Sequence, residues 1–215
     1  MATTVAQLHT ELAHRLGEIA TPNDVNEKAR RLTFFNLAYK AVMRRHYWWF
    51  LETTGSFTSV ANQESYTTAD GFPTDVRKIL EVRYGNTIIT PALQSEVLDS
   101  ETTPYNEHSE SYMMFQGKFY PIPRFMTDGI TVSLKYYKNP PVLTADADVI
   151  VIPDMFSDAL VAYAEARVSK VKGKRGSSAD GFDEFNEIIK QMDAEQNKYL
   201  FYLMATTNSY EAMYP

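Results

Sequence analysis

The chain has 215 residues, 44% hydrophobic and 22% charged, with a formal net charge of −6. That balance is ordinary for a folded globular protein, and the length allows one generous domain or a body with a small inserted module. The absence of cysteine excludes a disulfide framework, thiolate metal sites and a cysteine nucleophile, and the acidic balance excludes binding duplex DNA by bulk charge. The start lacks the charged and apolar regions of a signal peptide, and no run nears the roughly 18–20 apolar residues of a membrane span. The expectation is a soluble, unsecreted chain.

Val5, Leu8, Leu12, Leu16 and Ile19 recur at helical spacing and predict a first helix, capped by Thr3 or Thr4 and weakened at Gly17. Thr21-Pro22-Asn23 breaks it. Asp24 followed by Glu27 reads as a capping box for a second helix running to about His46. Its apolar residues cover more than one stripe, which marks a central helix, and Arg44, Arg45 and His46 complement the negative end of its dipole.

From Tyr47 to about Ile150 the period changes from 3.6 to 2. Ile130, Val132, Leu134 and Tyr136 alternate with polar residues, and Leu80, Val82 and Tyr84 do likewise before a Gly85-Asn86 turn. Tyr112 to Phe115 and Phe119 to Tyr120 flank Gln116-Gly117-Lys118 as a second hairpin. Pro91 to Glu101 is expected to form a short helix, and Ser100 to Ser111 an exposed loop. The stretch is an antiparallel module, and Trp48-Trp49-Phe50 at its entrance reads as a hydrophobic joint.

Pro140-Pro141 closes the module, and Ile152-Pro153-Asp154 opens a third helix. Gly173 to Ser178 is expected to be a flexible turn before a fourth helix, whose apolar side carries Phe182, Phe185, Ile188, Ile189, Met192, Tyr199, Tyr202 and Leu203. After Ala205 the periodicity stops. The fold class is therefore α+β, a four-helix body with an inserted antiparallel β module and an extended C-terminal tail. The expected divisions are 1–46 and 153–205 for the body, 47–152 for the module and 206–215 for the tail.

Motifs of chemistry are missing. His9 and His14 lie five apart on one helix, so they diverge by about 140° at ~100° per residue and cannot chelate one ion. His46 suits a helix end, and His108, between Glu107 and Glu110, suits a solvated loop. Gly173-Lys174-Arg175-Gly176-Ser177-Ser178 lacks the earlier glycine of a phosphate loop, since position 168 is Val168, and follows a helix rather than a strand. No serine elbow or dinucleotide fingerprint occurs, and the pairs Asp146/Asp148 and Asp183/Glu184 carry no sign of a shared proton. No enzyme, cofactor or metal is expected. Lys170, Lys172, Lys174 and Arg175 cluster at the helix turn, where their charge suits the helix end.

The order of elements nonetheless resembles the head-to-tail adaptor proteins of tailed bacteriophages. The resemblance begins at Tyr47-Trp48-Trp49-Phe50 with Phe57 and Tyr66. It continues through Phe72-Pro73-Thr74-Asp75-Val76-Arg77-Lys78-Ile79-Leu80, Phe115-Gln116-Gly117-Lys118-Phe119-Tyr120-Pro121-Ile122-Pro123 and Tyr136-Tyr137. The most telling stretch is Leu143-Thr144-Ala145-Asp146-Ala147-Asp148, then Ile152-Pro153, Phe156, Asp158-Ala159-Leu160 and Tyr163-Ala164. One departure is Thr67 to Gly71, which lengthens the spacing between Tyr66 and Phe72.

The resemblance implies a virion component of the neck, assembled in the host cytoplasm as a ring of copies, often twelve-fold, beneath the portal protein. It implies a next partner of the stopper, nozzle or tail-terminator kind, and genomic DNA passing through the lumen without sequence-specific binding. It also implies a C-terminal segment that docks on the portal, here Thr206, Thr207, Asn208, Ser209, Tyr210, Glu211, Ala212, Met213, Tyr214 and Pro215. In a ring with the fourth helix inward, Asp180, Asp183, Glu184 and Glu187 would form an acidic lumen. The alternatives are another neck or tail-completion protein, or a ligand- or carbohydrate-binding module using aromatics of the β insert.

Overall fold

The computed structural model describes residues 2–18, 24–92 and 111–211, and the chain divides into two compact units, 1–50 with 140–215 and 51–139. The first unit holds four α-helices among the described residues: α1 (Val5–Arg15), α2 (Val25–Met43), α3 (Asp158–Val171) and α4 (Arg175–Glu211). The second holds β1 (Glu52–Thr58), β2 (Val76–Tyr84), β3 (Thr87–Pro91), β4 (Ser111–Phe115), β5 (Lys118–Ile122) and β6 (Thr131–Lys138). The architecture is α+β.

Local chemistry explains most boundaries. Thr4 caps α1 in a reciprocal box with Gln7, satisfying donors that the first turn leaves orphaned. Asp24 caps α2 by accepting from the Asn26 amide. The expected box partner Glu27 instead pairs with Arg30 and Arg31. The second helix also ends at Met43, earlier than the expected His46. Pro153 precedes a short 3-10 turn, Asp154–Phe156, and α3 begins only at Asp158.

The turn between α3 and α4 is tighter than expected, because Gly173 at φ +74° reverses the chain and α4 starts at Arg175. Helix α4 has 37 residues, about 55 Å at 1.5 Å per residue. Its backbone stays helical through Glu211, so positions 206–211 of the expected extended tail continue the helix. Ala212 to Pro215 lie outside the described residues.

The helical core combines small and aliphatic groups with a few rings. Val5, Leu8 and Leu12 from α1, Phe35, Ala38 and Val42 from α2, and Ala159, Leu160, Ala162, Ala166 and Val168 from α3 are all at most 2% exposed. Alanine on α3 lets α4 come close. A Cβ on Gly181 would stand 2.9 Å from the Ala162 carbonyl oxygen and 3.1 Å from the Ala166 Cβ. Trp48 is fully buried, and its indole N–H donates to the Val42 carbonyl at 2.9 Å, a second donor beside the Arg45 amide at 3.1 Å.

In the second unit the strand order is β1-β6-β2-β3-β4-β5. Every pairing is antiparallel except a two-residue parallel register between β3 and β4, Thr90 opposite Ser111 and Pro91 opposite Tyr112. The sheet is therefore mixed. Pro91 ends β3, and the remainder of the expected short helix and loop, through Glu110, lies outside the described residues. The sheet curls, because Tyr66, in the segment after β1, exchanges both backbone hydrogen bonds with Phe119 of β5, at 2.8 and 3.0 Å.

Gln116 and Gly117, both at positive φ, form the expected hairpin turn. The alternation expected for β2 breaks at Leu80. A register shift between Ile79 and Glu81 makes it the extra residue of a bulge, and it is 41% exposed. The lengthened spacing after Tyr66 is a capped 3-10 turn, Thr68–Asp70, with Thr67 and Asp70 in a reciprocal box and Gly71 in the left-handed region at φ +85°.

Candidate functional site

Three surfaces of the helical unit carry the features that sequence reading singled out. On α4, Asp180, Asp183 and Glu187 are exposed, while Glu184 is drawn into a cluster. Arg15 Nη1 lies 2.8 Å from both Glu184 oxygens, 3.8 Å from Glu165 and within a side-chain length of Asp158, whose carboxylate is 3.9 Å from Nη2. One guanidinium thus ties α1 to α3 and α4. Burial pushes the Glu165 carboxyl up, against the opposing pull of Arg15. Of the four residues expected in an acidic lumen, Glu184 is held by Arg15 and Glu187 pairs with Lys190 of the same helix.

Further along α4, Leu200, Phe201 and Tyr202 are 38%, 74% and 67% exposed. A groove of about 610 Å³ lies beside them, lined by Trp49, Pro153, Met155, Lys198, Tyr199 and Tyr202. It is predominantly apolar in character, with Glu195 and Lys198 paired to each other at its rim. The basic turn keeps Lys170, Lys172 and Lys174 exposed, and Lys172 reaches Glu18 at 3.3 Å.

Two ionisable residues, Arg31 and His9, are buried beside the predicted apolar stripes. Arg31, on α2, is 1% exposed and donates from Nη2 to both Glu18 oxygens at 2.9 and 2.7 Å, and from Nε to Glu27 at 3.1 Å. Burial pushes the Glu18 carboxyl up, and the hydrogen bonds from Arg31 and Lys172 more than reverse it, leaving it below its ordinary value. His9 is 2% exposed, edge-on to Phe35, and its Nε2 lies 3.9 Å from Asp146. Burial holds its pKa below the ordinary value, against the pull of Asp146. Their signal was position: His9 follows Leu8 and Arg31 precedes Leu32, so each borders a predicted apolar stripe.

The other histidines stay apart. His46 sits 3.1 Å from Asp193 beside the C-terminus of α2, and His108 lies outside the described residues. Among the described residues no group of three or more His, Cys, Asp or Glu is placed to hold a metal ion, and no helix is long and apolar enough to cross a membrane. Asp148 is occupied as a turn former, accepting from the Thr144 and Ala145 amides at 2.6 and 2.8 Å. Trp48, expected at a hydrophobic joint, is enclosed, and Trp49 is half-buried in the groove.

The long helix and the groove beside it leave acidic and apolar side chains exposed. Comparison with known families specifies the kind of protein. A family model described as SU10 adaptor protein matches residues 3–207, nearly the whole chain. The chain belongs to this family, one of bacteriophage head-to-tail adaptors. Membership makes it a structural component of the virion neck, with portal and tail proteins as its partners in general terms. No curated protein matches the sequence.

Proposed function

We propose that copies of this chain form a ring beneath the portal, often twelve-fold in such adaptors, joining capsid to tail and letting genomic DNA pass through the lumen. The observation that carries this reading is the family match over residues 3–207. The helical body, 1–50 with 140–205, packs side by side, and the segment from Thr206 to Pro215 docks on the portal. The β module, 51–139, meets the next neck or tail protein. Exposed Asp180, Asp183 and Glu187, with Glu184 beside them, support an acidic lumen that would repel DNA phosphates and so keep the passing duplex from sticking. The exposed Phe201 and Tyr202, just before the docking segment, support apolar contact there.

Electron microscopy and native mass measurement of the protein with and without its portal test the reading. The expected result is a closed ring on the portal, with acidic α4 residues facing the axis. A protein that never rings with the portal present overturns the proposal. Truncation after Ala205 should abolish co-sedimentation with the portal while leaving the helical circular dichroism largely in place. Unchanged binding would reassign the docking surface without touching the ring.

A further inference from the structure

We infer that His9, Asp146 and Lys28 form an acid-sensitive latch that holds α1 against the 143–151 segment inside the helical unit. This segment is stitched to two helices by backbone and side-chain bonds. The Val5 and Ala6 amides donate to the Asp148 and Asp146 carbonyls at 3.0 and 2.9 Å, and the Ile150 amide donates to Thr3 O at 3.0 Å. On the α2 side, Asn36 exchanges hydrogen bonds with the Leu143 backbone at 2.8 and 3.0 Å. The Val151 amide donates to the Tyr39 hydroxyl at 3.1 Å.

The latch sits where these stitches meet. Lys28 Nζ donates to Asp146 Oδ2 at 2.8 Å, and His9 approaches Oδ1 of the same carboxylate without a hydrogen bond, at 3.9 Å. The other ring nitrogen, Nδ1, is buried with no hydrogen-bond partner. Neutral imidazole tolerates this arrangement. Protonated imidazole would carry two N–H donors and a full charge into a site 2% exposed, where one carboxylate is already shared with an ammonium.

Charges on the neighbouring elements do not relieve it. From α2, Lys28 and Arg31 both oppose a positive His9, and only Asp146 from the segment favours it. Arg31 is itself held by Glu18 and Glu27. The α3 carboxylates near α1, Asp158 and Glu165, meet Arg15. Because the pKa of His9 is lowered in the closed form, the closed form binds the proton less well than the open one. Opening therefore becomes easier as pH falls through the ordinary value of 6.5, and the effect levels off once pH lies below the closed-state pKa. Acid loosens the start of α1 and the 143–151 segment before the rest of the fold.

Amide exchange of the full chain, compared at about pH 7.5 and about pH 5 after correction for intrinsic exchange, tests the latch. The expected result is about tenfold lower protection at Val5, Ala6 and Ile150 for each unit by which the closed-state pKa lies below the open one, with Val82 and Leu134 of the sheet unchanged. His9→Leu should remove this pH dependence. Equal protection at both pH values, or a dependence that persists in His9→Leu, overturns the latch. Should His9→Leu not fold, an NMR titration of the native imidazole decides: titration below the ordinary value supports the latch, and titration at or above it overturns it.

Discussion

In the β unit, eight of the twelve residues in the buried cluster are aromatic, among them Phe57, Tyr66, Phe119 and Phe125. Ring centroids there stand 4.5 to 6.5 Å apart, from stacked Tyr84–Phe125 to stacked Phe119–Phe125. Its ion pairs, such as Lys135 with Glu52 and Arg124 with Glu64, have at least one well-exposed partner. The helical unit reverses this emphasis. Small residues carry the closest approach of its helices, and one cation there is buried outright: Arg31, 1% exposed, held by Glu18 and Glu27. A short, curled sheet can enclose a core only if each side chain fills much of it, and rings do so. Helices packed closely on alanine and glycine leave room at their ends for long charged side chains to cross between them.

The contrast can be broken most directly in the sheet. Phe119 is fully buried and contacts the rings of Phe57, Tyr66, Phe72, Tyr112 and Phe125. Phe119→Ala should cost about 3–5 kcal/mol, read as a lower denaturation midpoint with lost near-ultraviolet tyrosine signal. A loss near zero would mean that the cluster is not what holds the sheet. Next comes packing in the helices. Gly181→Val places carbon 2.9 Å from a backbone oxygen that cannot swing away, and should cost about 1–3 kcal/mol. A neutral result would show that α3 and α4 slide apart freely.

The smallest effect sharpens the electrostatic half. Glu18→Gln leaves buried Arg31 with Glu27 as its remaining carboxylate, at a cost of about 1–2 kcal/mol at neutral pH. Because the Glu18 pKa is lowered in the folded chain, its stabilisation is present above the ordinary value of 4.5 and is lost as pH falls below it. The difference between wild type and Glu18→Gln should therefore shrink in acid. A gap that stays constant from neutral pH to about pH 3 would assign the loss to packing rather than charge.

Much of this architecture could be read from residue order. Period-2 alternation in 130–136 marked β6, the paired Gln116-Gly117 marked the β4–β5 hairpin, and Thr4 and Asp24 marked helix starts. What escaped was decided by pairings and packing that the local pattern does not encode. Leu80 follows the strand pattern, yet a bulge against β6 turns it outward. Glu27 has capping-box spacing, yet the buried Arg31 four residues on recruits it. The loss of apolar periodicity after Ala205 suggested an extended tail, but α4 keeps helical geometry to Glu211, since polar residues such as those at 206–209 lower helix propensity without forbidding it. Of the proposed interaction residues, the acidic run on α4 was legible because helical spacing gathers charges, whereas the groove beside Trp49 needed the 3-10 turn at Asp154–Phe156 to bring Met155 to Tyr202.

The indole of Trp48, set against the last carbonyls of α2, has an optical consequence. The chain's two tryptophans are neighbours, Trp48 and Trp49, with ring centroids 6.1 Å apart, and both belong to the helical unit. The sheet is rich in tyrosine and phenylalanine but holds no indole. Light absorbed selectively by tryptophan therefore reports on the helices alone, whereas the tyrosines divide evenly, seven in each unit, and report on both. Without any added dye, the molecule carries a spectroscopic label confined to its helical half.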